Sequence, residues 1–169
     1  VKNIYETYQY FSEKIDGQIS ILKRKYFTGD TTIFLITKEI PLAKIIFELK
    51  LHRFYGEGKA LQNRVQIYTT KPIQEFELTK LNLIRKIIFS NDTKYFNITK
   101  GNSHQNLVNQ LILKLEINQS LRNLICKIQC QKISKSSYQT QIDIECLPEF
   151  LDAEALENLW DFISKWQLR

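Results

Sequence analysis

The chain has 169 residues, 43% of them hydrophobic and 12% aromatic, with only 5 Gly and 3 Pro, which excludes a disordered chain and fits one domain with its own core. Its formal charge is +6 and its pI about 9.2, a balance that permits contact with nucleic acid or an anionic membrane surface without requiring it. No apolar run approaches the ~20 residues of a membrane-spanning helix, and no signal-peptide pattern is present.

In chain order, Ile4, Tyr8, Phe11 and Ile15 fall at helical spacing, and Asp16-Gly17 ends that helix, with Gly17 suited to a left-handed cap. Residues 18–27 read as a strand, Thr28-Gly29-Asp30 as a turn, and Thr31 to Thr37 as the second arm of a hairpin. After a break at Pro41, Ile45, Phe47, Leu49 and Leu51 alternate with polar positions, the pattern of a half-buried strand. Gly56-Glu57-Gly58 reads as a loop and Val65 to Thr70 as a short strand. Phe76 to Phe89 mixes two periods and is read as strand; Asn91-Asp92 marks a turn before a short strand from Tyr95 to Thr99. Ser103 is placed to cap a helix carrying Leu107, Val108, Leu111, Ile112 and Leu115, followed by a short helix over Gln119 to Leu124. Ile125 to Ile133 and Tyr138 to Leu147 read as a strand pair. Asp152 opens a last helix with Leu156, Leu159, Trp160, Ile163 and Trp166 on one side. The elements do not alternate as βαβ units. The expected fold is therefore α+β, a single domain over residues 1–169: an antiparallel sheet with N-terminal, middle and C-terminal helices packed mainly on one face.

Three Cys occur, Cys126, Cys130 and Cys146, an odd count that argues against a closed disulfide framework. They read as small buried hydrophobes in a reducing compartment, on the cytoplasmic or nuclear side. His52 and His104 are isolated and there is no CxxC, so neither a metal nor another cofactor is expected. Met is absent, at position 1 as well, which leads us to expect a chain that lost its start residue or was cut from a longer protein, with room for a membrane tether before Val1.

Three patterns carry chemistry. Lys23-Arg24-Lys25 runs into Tyr26-Phe27, and with Lys44 and Lys50 it could form a basic sheet face on which phosphates are tracked while bases stack; alternation sends Arg24 to the face opposite Lys23 and Lys25. Trp160 and Trp166 could anchor an as yet unknown protein partner if their helix face is open. Asp30 followed by Glu48-Leu49-Lys50 supplies two carboxylates for a divalent cation and a Lys to stabilise an attacking hydroxide.

That last set, in helix–hairpin–strand order over residues 2 to 53, resembles the core of the restriction-endonuclease-like nucleases. The resemblance implies a metal-dependent nuclease using Asp30, Glu48 and Lys50, although Gly56 and Gly58 stand where that core turns into a helix. A second stretch runs Asn91-Asp92-Thr93-Lys94-Tyr95-Phe96-Asn97-Ile98, then Gly101-Asn102, a leucine-bearing helix, and Leu121-Arg122-Asn123-Leu124. It is similar to a segment of uncharacterised bacterial proteins in which membrane helices precede a soluble α+β domain, and implies a cytosolic domain of unassigned function held by a tether. Taken together, the residues favour a non-catalytic binding or interaction domain, with nucleic-acid binding and nuclease activity as the alternatives.

Overall fold

The computed structural model describes residues 4–55, 59–81, 95–101, 106–145 and 153–167. Helix α1 spans Ile4–Lys14 and buries Tyr8 and Phe11. The left-handed residue that ends it is Asp16, with φ 51°, and not Gly17 as the sequence suggested. Asp tolerates this conformation better than most side chains. Gly17 serves close approach instead, since a Cβ there would meet Ile36 Cγ2 at 3.0 Å.

Four long strands follow as a meander: β1 (Gln18–Tyr26), β2 (Gly29–Ile40), β3 (Ala43–Phe54) and β4 (Lys59–Thr69). Pro41 and Leu42 make the two-residue turn between β2 and β3, Leu42 taking a positive φ of 67°. Then come β5 (Phe76–Lys80), β6 (Phe96–Lys100), α2 (Asn106–Ile117), α3 (Gln119–Leu124), β7 (Ile125–Ser134), β8 (Ser137–Ile144) and α4 (Ala153–Gln167). The Asn118 side chain caps α3, accepting from the Leu121 N–H at 3.1 Å. The strands join in one eight-stranded antiparallel sheet of order β1-β2-β3-β4-β8-β7-β5-β6. The fold is thus α+β, as the element order implied. No helix among the described residues is long and apolar enough to cross a membrane.

The sheet has a covered face and an open one. Phe34, Ile36, Ile45, Phe47, Leu49, Val65, Ile67, Ile142, Ile128 and Leu78 lie on one side by alternation and register, all in the buried core. Against them pack Tyr8 and Phe11 of α1, Leu111 and Leu115 of α2, Leu121 and Leu124 of α3, and Leu159 and Ile163 of α4. The opposite side carries no helix among the described residues.

Several expected features lie outside the described residues: the 56–58 loop, the second half of the stretch read as strand over 76–89, the Asn91-Asp92 turn, the Ser103 cap, His104, Cys146 and the Asp152 cap. Strand β4 begins six residues earlier than the apolar pattern indicated, because pairing with the long β3 extends it through Ala60, which faces His52.

Candidate functional site

On the open face, register lines the side chains up in rows across the strands. One row runs Leu35, Glu48, Arg64, Asp143, Lys127 and Thr79, so charges of opposite sign alternate from strand to strand. Glu48 Oε1 lies 3.3 Å from Lys50 Nζ and 3.6 Å from Arg64 Nε, and Lys127 lies 3.0 Å from Glu77. A second row carries Gln66, Gln141 and Gln129 abreast. Beside it Tyr68 donates its hydroxyl hydrogen to Gln66 at 3.1 Å and accepts from Gln139 at 3.2 Å. Over β4, β8 and β7 the open face is therefore polar and largely spent on its own pairs.

The corner formed by β1, β2 and β3 differs. Arg24, Thr31 and His52 stand in one row, and Leu22, Ile33, Lys50 and Gln62 in the next. Between them is a cleft of about 450 Å³ lined by Arg24, Tyr26, Thr31, Lys50, His52 and Gln62, with Ile33 in its wall. Strand spacing puts Arg24 and His52 ~10 Å apart across β2, wide enough to admit a small ligand between them. His52 is held from two sides: Thr31 Oγ1 hydrogen-bonds Nδ1 at 2.7 Å, and the Phe54 ring meets the imidazole edge-on with centroids 4.4 Å apart. A ring fixed this way keeps one orientation toward a ligand. Among the described residues, no carboxylate lines the cleft and Arg24 makes no ion pair.

The side chains singled out in the sequence are dispersed. Asp30 falls in phase with Phe34 and Ile36, on the helix side, whereas Glu48 and Lys50 alternate with Phe47 and Leu49 and face the open side. Asp30 instead accepts a hydrogen bond from the Tyr55 hydroxyl at 3.4 Å, and Glu48 is occupied by Lys50 and Arg64. The nuclease trio does not converge. No group of three or more His, Cys, Asp or Glu among the described residues could hold a metal ion. The strand β4 that follows β3 directly also departs from the helix of the nuclease core.

The basic set divides likewise. Arg24, Lys44 and Lys50 are on the open side, and Lys23 and Lys25 on the other, where their exposure shows that the helices do not reach them. Lys44 lies six residues along β3 from Lys50, ~20 Å away, so only Arg24 and Lys50 meet at the cleft. Trp160 is half-buried against the core, its ring 6.4 Å from that of Phe47, which is a packing role; the Trp166 side chain lies outside the described residues. Cys130 is buried on the covered face, where burial pushes its thiol up, and Cys126 Sγ lies 3.4 Å from Glu145 Oε2.

No family model, curated protein or solved structure matches the chain. What the site can do is therefore read from its own chemistry. Two features were beyond sequence reasoning: His52, which looked like an isolated polar residue, and the approach of Arg24 and Lys50 to one cleft from either side of β2. The cross-strand register that assembles them is not written in either strand alone.

Proposed function

We propose that the protein is a non-catalytic binding domain that takes an anionic ligand in the open-face cleft between β1, β2 and β3. The observation that carries this is the meeting of Arg24, Lys50 and the fixed imidazole of His52 around about 450 Å³ of space, with no carboxylate in its lining among the described residues. A space of that size suits a small ligand or one group of a larger one. Arg24 offers a planar fork of donors that matches a phosphate or carboxylate, and Lys50 adds a second donor despite its pair with Glu48. The Tyr26 ring and Ile33 supply an apolar wall, so an anion carrying an apolar or aromatic group fits better than a bare ion.

The test is a titration with phenyl phosphate followed by NMR. Backbone signals of residues 24–26, 31 and 50–52 should shift together, and Arg24→Ala combined with Lys50→Ala should weaken binding by about 10-fold or more, as loss of charge-assisted hydrogen bonds implies. Shifts spread over the surface, or an unchanged affinity in the double variant, would sink the reading.

A further inference from the structure

The cleft opens beside an unusual end of the sheet. The β1–β2 turn and the last residues of β3 lie together there: Tyr26 pairs with Gly29, Gly29 with Phe54, and the Tyr55 N–H donates to the Thr28 carbonyl at 3.1 Å. Glycine at 29 permits this junction, because a Cβ would sit 2.0 Å from the Arg53 carbonyl oxygen. The two tips are thereby one unit, and it presents four aromatic side chains to solvent. Phe27 is 99% exposed, Tyr55 66%, Tyr26 47% and Phe54 46%. Lys23, Arg24, Lys25 and Arg53 stand behind them in the last residues of β1 and β3. At the opposite end, the Pro41-Leu42 turn and the end of the β7–β8 hairpin expose two large apolar side chains among the described residues, Leu42 and Ile133, neither of them aromatic.

We propose that this aromatic tip docks the protein on an anionic membrane surface, with a lipid headgroup phosphate entering the Arg24–Lys50–His52 cleft. The headgroup part rests on the anion-binding reading above; the docking part rests on the tip. A fully exposed Phe in a tight turn gains by leaving water, and the acyl boundary is where such a ring goes. Tyr26 and Tyr55 each join an apolar ring to a polar hydroxyl, the combination that settles at headgroup depth. The basic residues one step further from the tip then reach the phosphate layer, and their sign matches an anionic leaflet. A nucleic-acid platform would be built differently. Bases stack on aromatics spread over a groove or sheet face, whereas Phe27 stands in the turn, past the last strand pair Tyr26–Gly29, on neither face.

Flotation of the protein with vesicles decides the matter. Vesicles of phosphatidylcholine with phosphatidylserine at about 2:1 should carry the protein up, and phosphatidylcholine alone should not, the difference shrinking as salt is raised. Phe27→Ser should lower vesicle affinity by about 10-fold or more, since it removes the buried ring. It should leave phenyl phosphate binding as it was, because Phe27 does not line the cleft. Arg24→Ala should weaken both. Phenyl phosphate binding without flotation would overturn the membrane inference while leaving the cleft intact. Flotation that Phe27→Ser does not change would equally overturn the role given to the tip. Flotation without phenyl phosphate binding would keep the tip and remove the headgroup site. A single-stranded oligonucleotide bound in a Phe27-dependent way, with no flotation, would assign the surface to nucleic acid instead.

Discussion

The two faces of the sheet are made from the same strands and do opposite things. Along β3, Ile45, Phe47 and Leu49 are fully buried beneath the helices, while Ile46, Glu48 and Lys50, between and after them, stay half-buried on a face that carries no helix among the described residues. The partial burial of open-face side chains comes from their neighbours: Glu48 against Arg64 and Gln66 against Gln141 within the rows, and Lys127 against Glu77 on the diagonal. Long polar side chains cover one another's stems while their heads remain paired and wet. Stability therefore lives on the covered face. Binding capacity gathers where the paired rows stop, at the β1–β3 corner, where Arg24 has no ion pair among the described residues and stands across the cleft from Lys50 and His52.

The largest expected effect follows from that division. Phe47→Ala removes a fully buried ring that packs edge-on with Phe11 at 5.0 Å, and should cost about 3–5 kcal/mol in urea denaturation. Its neighbour Glu48→Gln should cost under about 1 kcal/mol, because a partly exposed ion pair contributes little. Equal losses at the two positions would break the contrast between the faces.

Next in size is the tip, where the faces meet. Gly29→Ala forces a Cβ against the Arg53 backbone at a position with φ 155°, and should cost about 2 kcal/mol or more, the range for a strained backbone site. Hydrogen exchange at the Tyr55 amide should speed up before the rest of the sheet is affected, since its bond to Thr28 lies at that junction. Protection retained at Tyr55 would mean that the two hairpin ends are not one unit.

The smallest effect distinguishes the faces by acid. On the open face the hydroxyl of Thr99, and then Lys127, hold the Glu77 carboxyl below its ordinary value. A depressed folded value means stability that is present above the ordinary Glu pKa of ~4.3 and is lost as pH falls from there through the lower folded value. Solvent keeps this contribution small. Glu77→Gln should remove that small contribution at neutral pH, flatten the stability profile in the acid window and converge with the unsubstituted protein below it; a loss that appears only in acid would contradict the sign.

The fold was legible in the sequence to the extent that period reveals it. Ile45, Phe47, Leu49 and Leu51 alternate as a one-sided strand must, and Tyr8, Phe11 and Ile15 repeat as a one-sided helix must, because local geometry puts those positions on one side whatever lies opposite. The early part of β4 was missed since residues 59–64 show no such alternation; they are strand because β3 pairs with them. Asp16 took the left-handed turn expected of Gly17 because the close contact with Ile36 claimed the glycine.

The site was far less legible. Arg24 and Lys50 are 26 positions apart on strands that do not touch each other, and His52 had no partner in sight along the chain. A strand's own residues specify which side each points to, but the identity of its neighbours depends on register and strand order, which are set by long-range pairing. Chain periodicity therefore established the α+β class and the two-sided sheet. The meeting of cations and aromatics at one corner, and the parting of Asp30 from Glu48, came from pairing between distant strands, an interaction that no local pattern encodes.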